Sequence, residues 1–468
     1  LIEGGFPRGS LVLLAGNPGT GKTVFSMQFL FNGAENYGEN GIYVSFAENE
    51  DTIIHNVSRL FGRDLRKGTE GRGTIKILDF TTVTEKGLST ILEIVLGEIT
   101  ALKAKRLVID SFSAMAQAFK EPIEARIILH NILGKIVRQL GCTTILIVEV
   151  PTGSKKIGIS IEEFVADGVI ILRKDDYDGR LIREIEIEKL RGTRLEQQRF
   201  LFTLNKSFQV FPPFSLKEIE NPKKFEPTRG TKTHYPSGIP ELDEILGGEG
   251  YSRGYSVLYE LGENVPIEAL NSVINPTLAN FIMRKRGVIV IPIIEYGPED
   301  IRKMISSFTG EEKFDKFTRI ITYPSLIPDQ NKPFIITMPD PAVEPLDTIL
   351  DARASYLEIA VEMANKLHKN LLHLLGGDSL AYVVERFTPA MIGQSVVAIK
   401  MVKDLLIFIS KPSLPELTRV LADTVNIHFK IEERNGSIIL FGKKPKTIIY
   451  TIETDASRGC RVKLTPIV

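Results

Sequence analysis

The 468-residue sequence predicts an α/β fold written twice along the chain. Three observations carry that expectation. The apolar run from Leu11 breaks into glycines and leads into a helical stretch, Val24–Phe31. Short β-rich runs then alternate with helical periodicity as far as residue 190. A second copy of the opening text begins at residue 237.

Leu11–Thr23, LVLLAGNPGTGKT, reads as a strand, a glycine loop and the start of a helix. Gly16, Gly21, Lys22 and Thr23 satisfy the pattern G-x-x-x-x-G-K-[ST], with Asn17, Pro18, Gly19 and Thr20 between them. Glycines let such a loop curl until several backbone N–H groups point at one anion. Lys22 is then placed to reach β- and γ-phosphates, Thr23 to ligate Mg²⁺, and the following helix to present its positive end. The stretch is read as a nucleoside triphosphate site with Mg²⁺, and these residues do not distinguish ATP from GTP.

Gly41–Phe46 is a β-rich run followed by Ala47, Glu48, Asn49 and a helix over Asp51–Phe61. Glu48, just past a strand end, is the candidate base that orients water; the plainer alternative is an acid favoured before a helix. Arg106–Ser111 is an apolar strand ending in Asp110, the expected partner of the metal. A helix over Ile123–Leu140 and a strand over Thr143–Val148 follow. Lys155 and Lys156, in the loop Pro151–Phe164, could touch nucleic-acid phosphates, but without interleaved aromatics they read as a solvated loop. Val169–Leu172 and Leu181–Leu190 form a hairpin around KDDYDGR. Lys189 and Arg191 occupy alternate positions and are expected on one side of a strand, facing a neighbour's nucleotide or guarding a sheet edge.

Bulk properties narrow the function classes. With 43% hydrophobic residues the chain can bury two or three cores. Lys plus Arg equals Asp plus Glu at 58 each, so no global field draws it to nucleic acid or anionic lipid. Two separated cysteines suit a reducing compartment, and six scattered histidines show no metal spacing, so no zinc is expected. No run has the length of a membrane span and LIEGGFPRGS is not a signal peptide, which makes the expected location cytoplasmic.

GNPGTGKT at 16–23, YVSFAEN at 43–49, RLVIDSFSA at 106–114, IEEFVADGVIILR at 161–173 and EKLRGT at 188–193 together resemble the KaiC-like branch of the RecA-type ATPases. The resemblance covers the first half and is most specific in FVADGVIILR and KLRGT. It implies tandem RecA-like domains, each a twisted, mostly parallel sheet flanked by helices with C-terminal β-hairpins. It also implies a hexameric ring with ATP between subunits, and it matches Lys189 and Arg191 to residues that reach the adjacent subunit's γ-phosphate. Two departures stand out. Ala47 replaces the first of two glutamates the family usually carries, leaving Glu48, so turnover is expected to be slow. Arg194–Gln197 lacks the His and Lys often found there.

After Phe208 a Pro- and Lys-rich stretch reads as a linker, 209–236, separating a first domain, 1–208, from a second, 237–468. Residues 237–259 align with 1–14, GVIVIPIIEYGPEDI at 287–301 answers GIYVSFAENEDTI, and LADTVNIHF at 421–429 answers VADGVIILR. The first copy lacks a counterpart of SGIPELDE, so a short preceding piece is expected. Where the first copy has Gly21-Lys22-Thr23, the second has Pro266-Ile267-Glu268, a lost N–H and a negative charge, and no nucleotide is expected there. Asp378-Ser379 echoes Asp110-Ser111 in a structural role, the stretch Tyr323–Pro345 reads as a surface insertion, and no second Lys-x-Arg-Gly-Thr occurs.

The sequence therefore points to a slowly hydrolysing ATP-binding homo-oligomer with Lys22, Glu48, Lys189 and Arg191 as catalytic groups and Thr23 and Asp110 on the metal. The second half is expected to act as scaffold, regulator or docking site for a protein partner. The alternatives are a recombinase-like DNA-handling motor and a nucleotide switch without turnover. Autokinase activity known in some family members is not implied, because there the modified residues lie in a nucleotide-binding second domain.

Overall fold

In the computed structural model the described residues are 2–62, 73–81, 88–116, 139–150, 166–215, 223–323, 332–338, 348–383 and 389–468. They divide into two units, Leu1–Pro212 with Ile467–Val468, and Pro213–Pro466.

The first unit is built around β1 (Leu11–Gly16), all six residues of which are buried. β1 runs parallel to both its neighbours, β5 (Thr143–Glu149) and β6 (Gly168–Asp176). β4 (Arg106–Asp110), β2 (Gly41–Ser45) and β3 (Ile75–Asp79) extend the parallel sheet beyond β5. On the other side β7 (Leu181–Leu190), β8 (Arg199–Thr203) and β9 (Gln209–Val210) continue it antiparallel, so the first two residues of the expected linker are strand. The order among the described residues is β3-β2-β4-β5-β1-β6-β7-β8-β9.

β1 is continuously apolar because both faces are covered. Leu11, Leu13 and Ala15 pack with Val95, Ile99 and Phe112, whereas Val12 and Leu14 pack with Met27, Leu30 and Phe31. The covering helices are α1 (Lys22–Tyr37), α2 (Glu50–Phe61), α3 (Leu88–Leu102) and α4 (Phe112–Ala116). Most of the helix expected over Ile123–Leu140 lies outside the described residues.

The second unit opens on a short antiparallel pair, β10 (His234–Tyr235) and β11 (Tyr251–Ser252), and then repeats the plan. Its central β12 (Ser256–Leu261) lies parallel between β17 (Leu405–Ser410) and β18 (Ile427–Arg434). β16 (Leu372–Gly376), β13 (Val288–Ile291) and β14 (Thr318–Thr322) extend it on one side. β19 (Ser437–Lys444), β20 (Tyr450–Thr454) and β21 (Val462–Pro466) close the other as antiparallel strands. The run β2-β4-β5-β1-β6-β7 thus recurs as β13-β16-β17-β12-β18-β19. Inside the stretch read as an insertion, Ile335–Thr337 forms an additional edge strand, β15, parallel to β14.

Candidate active site

The loop between β1 and α1 follows from its glycines. A Cβ on Gly16 would lie 2.7 Å from both the Leu172 carbonyl oxygen and Thr20 Oγ1, so only glycine fits against β6. Gly21, the N-cap of α1, has φ 104°, a left-handed value that glycine adopts without strain. The turn is tied by Thr20, whose N and Oγ1 both donate to Asn17 O at 3.3 and 2.8 Å. Asn17 Nδ2 in turn donates to Val150 O at 3.0 Å. α1 has no acidic residue in its first turn and no side-chain cap, which leaves its N-terminal dipole uncompensated.

Lys22 folds over this loop, with Nζ donating to Gly16 O at 2.8 Å and Asn17 O at 3.1 Å. Burial lowers its pKa; the carboxylates of Glu149 and Asp110 oppose that shift and Lys174 adds to it. Thr23 Oγ1 donates to Asp110 Oδ2 at 3.3 Å, bringing the first turn of α1 to the end of β4. The same Oδ2 accepts from Tyr43 OH on β2. Burial raises the Asp110 carboxyl, and the hydrogen bond from Tyr43 is the largest opposing influence.

Glu48 lies in the turn after β2, where Ser45 Oγ donates to Glu48 O at 2.5 Å and accepts from Glu48 N at 3.1 Å. Asn49 then caps α2 by accepting from Thr52 N at 2.9 Å. Glu48 is near enough for its charge to act on Tyr43 and Asp110. Five of the expected groups, Lys22, Thr23, Glu48, Asp110 and the loop backbone, therefore converge at the C-terminal ends of β1, β2 and β4.

Lys189 and Arg191 do not join them within one chain. β7 ends at Leu190, so Lys189 lies on the strand and Arg191 just past its end. An irregularity in the pairing with β6 opposes Val169 to Lys189 and Ile170 to Ile187, so it falls before Lys189 on β7. Lys189 Nζ donates to Ala166 O at 2.7 Å, while Arg191 stands 3.5 Å from Asp167 Oδ1. Asp167 also accepts from Leu11 N, so both cations sit by the start of β1, the end opposite the loop.

Two basic residues near the loop escaped the sequence reading. Arg183 Nη1 donates to Gly19 O and Thr20 O at 3.2 and 3.4 Å, and burial lowers its pKa. Lys174, its partner across the β6–β7 hairpin, has its Nζ 3.0 Å from where a Gly19 Cβ would stand. Their only signal is the hairpin register, since each looks like an ordinary charged hairpin residue. Lys155 and Lys156 lie outside the described residues.

The corresponding corner of the second unit is built differently. Pro266 is the N-cap of the helix Ile267–Met283, with Glu268 in its first turn. Lys411, following β17, lies 3.0 Å from both Asp378 and Glu295. Burial alone would lower its pKa, but the hydrogen bonds to Asp378 and Glu295 outweigh it and raise the ammonium.

Family comparison agrees with the loop geometry: the family described as KaiC ATPase matches residues 1–212, and the family described as GvpD basic region 2 matches residues 224–468, just over half of the chain. The chain belongs to the KaiC-like branch of the RecA-superfamily P-loop ATPases. Its second unit belongs to the GvpD basic region 2 family. This KaiC-like chain is 34% identical over 256 residues to the circadian clock oscillator protein KaiC of Thermosynechococcus vestitus, covering 53% of this chain and 47% of that one. It thus spans about half the length of the KaiC relatives. Protein GvpD2 of Halobacterium salinarum is 26% identical over 479 residues, covering 96% of this chain and 91% of that one. A KaiC-like protein from Pyrococcus horikoshii is 37% identical over 45% of this chain and 94% of its own, with a TM-score of 0.40. Among the described residues no helix is long and apolar enough to cross a membrane.

Proposed function

We propose that the protein is a slow, Mg²⁺-dependent ATPase that assembles into a ring, its first unit holding ATP at subunit interfaces and its second serving as scaffold or regulator. The observation that carries this reading is the meeting of Lys22, Thr23 and Asp110 where β1 and β4 end. Thr23 offers a hydroxyl and Asp110 a carboxylate, hard oxygen donors that suit Mg²⁺. When bound, Mg²⁺ neutralises charge on the β- and γ-phosphates.

The chain's own groups do the rest by position and charge. Backbone N–H groups from Gly16 to Thr23 cradle the phosphates, and Lys22 leaves its loop carbonyls for phosphate oxygens. Glu48, held in its turn by Ser45, orients the attacking water. Ala47 beside it removes a second carboxylate, which supports slow turnover. Lys189 and Arg191 lie far from their own chain's loop, an arrangement suited to donation across a subunit interface. A trans cation of this kind is worth on the order of 10³ to 10⁵ in rate in enzymes where it has been measured.

At the corresponding corner of the second unit, Pro266, Glu268 and the ion pairs of Lys411 argue against a second nucleotide loop. The test is steady phosphate release with Mg-ATP by the full chain, together with light-scattering mass with and without nucleotide. Release abolished by Lys22→Ala, from an oligomer, is expected. ATP binding without any phosphate release would leave a nucleotide switch instead, and a monomer hydrolysing at full rate would remove the shared site.

A further inference from the structure

The second unit contains a cavity of about 350 Å³ whose walls, among the described residues, carry four cations, Arg284, Lys285, Arg286 and Lys369, and no carboxylate. It lies where the helix Ile267–Met283 ends and β13 begins. Arg284 and Lys285 could be there simply to meet the helix dipole. That reading does not account for Arg286, whose guanidinium lies 5.1 Å from the centre of the Tyr235 ring, nor for Arg253, 4.8 Å from it. A tyrosine bracketed by two guanidiniums concentrates positive charge at a buried wall. Burial lowers the pKa of Arg286 and of Lys369, and in each case neighbouring arginines push it further down. The carboxylate acting on Arg286, Asp404, is itself engaged by His373 and the Leu371 amide.

A second observation comes from Asn280, which lines the same cavity and is only 3% exposed. Its Nδ2 donates to Pro236 O at 3.0 Å, which settles the orientation of the amide. Its Oδ1 has no hydrogen-bond partner among the described residues. A buried acceptor left unpaired is costly, so it calls for a donor from whatever fills the space. A nucleic-acid backbone offers charge but, at its phosphates, no such donor; inorganic phosphate is too small for the volume.

We propose that this cavity binds a small phosphate ester that also carries free hydroxyl groups, the phosphate on Arg286, Lys285 and Lys369 and a hydroxyl donating to Asn280 Oδ1. The site is separate from the phosphate loop of the first unit and needs no turnover there.

The experiment is titration calorimetry on the full chain carrying Lys22→Ala, which silences the first unit's loop, with ribose 5-phosphate as the probe. Ribose, inorganic phosphate and a short single-stranded oligothymidylate are the comparators. Saturable binding of ribose 5-phosphate at least about tenfold tighter than that of inorganic phosphate is expected, with none for ribose. Arg286→Ala should weaken it by at least about tenfold, and Asn280→Ala should erase the preference over inorganic phosphate. The exposed Lys285→Glu and Lys369→Glu provide the same readout without disturbing the core, should Arg286→Ala lower the unfolding temperature. No saturable binding, binding indifferent to these charge reversals, or tighter binding of the oligonucleotide would overturn the proposal.

Discussion

Replacing Gly16 by alanine tests the geometry of the phosphate loop most directly. The new Cβ would stand 2.7 Å from the Leu172 carbonyl oxygen and from Thr20 Oγ1, well inside ordinary contact distance. Neither neighbour can give way: Leu172 is fully buried and paired in register with Gly16, and the Thr20 hydroxyl is committed to Asn17 O. The backbone must move instead, at about 1–3 kcal/mol for an overpacked site. That movement displaces the carbonyl that positions Lys22 Nζ. Losing one charge-assisted contact to phosphate, about 1.5–3 kcal/mol, would weaken ATP binding roughly 10- to 100-fold. Calorimetric titration with Mg-ATP and thermal unfolding give both numbers. Gly97→Ala in α3 is the control, because no atom of the described residues lies within 4 Å of its Cβ position. It should stabilise the protein by about 0.5–1 kcal/mol and leave ATP binding alone. A Gly16→Ala protein with wild-type affinity and melting temperature would refute the reasoning.

Arg191→Ala should cut phosphate release at least about 10³-fold with ATP affinity nearly intact. Mixing it with Glu48→Gln should recover turnover at interfaces that pair one intact side from each, and failure to recover any counts against shared sites. For Asp110 the sign of the pH effect follows from burial, which raises the carboxyl in the folded chain. Folding stability attributable to it is therefore highest below the unfolded value of about 3.9 and falls as pH rises through the raised value. Mg-ATP binding, which needs the carboxylate, strengthens over that same window. Tyr43→Phe removes the hydrogen bond that holds the carboxyl down, so the acid limb of Mg-ATP binding should move to higher pH; a limb that stays or moves down argues against it. In the second unit His373, 3% exposed, joins Tyr356 OH at 2.6 Å to Asp404 Oδ2 at 3.1 Å. His373→Leu strands both partners and should cost about 3–5 kcal/mol in urea unfolding, and a loss under about 1 kcal/mol would show the network to be dispensable.

What was legible in the sequence is what lies contiguous in it. Gly16 to Thr23 act as one turn, so a local pattern displays them, and the apolar strand ending in Asp110 carries its own signal. The duplication was readable because sheet order repeats with the text. Residues assembled by pairing were not. Tyr43 sits inside a buried strand and reads as packing, although its hydroxyl reaches Asp110. Lys174 and Arg183 become neighbours only through the antiparallel register of β6 and β7. Lys189 and Arg191 read as a pair in KLRGT, but their place by Ala166 and Asp167, at the end of β1 away from the loop, follows from pairing. β15 was hidden among prolines, where strand propensity is poor.

The ammonium of Lys411, shared between Asp378 and Glu295, gives the rear half a counter-ion of its own. A corner that supplies its positive charge covalently keeps its shape whether the cell is rich or poor in energy currency. On the function proposed above, that corner stays fixed while the phosphate loop of the front half fills and empties.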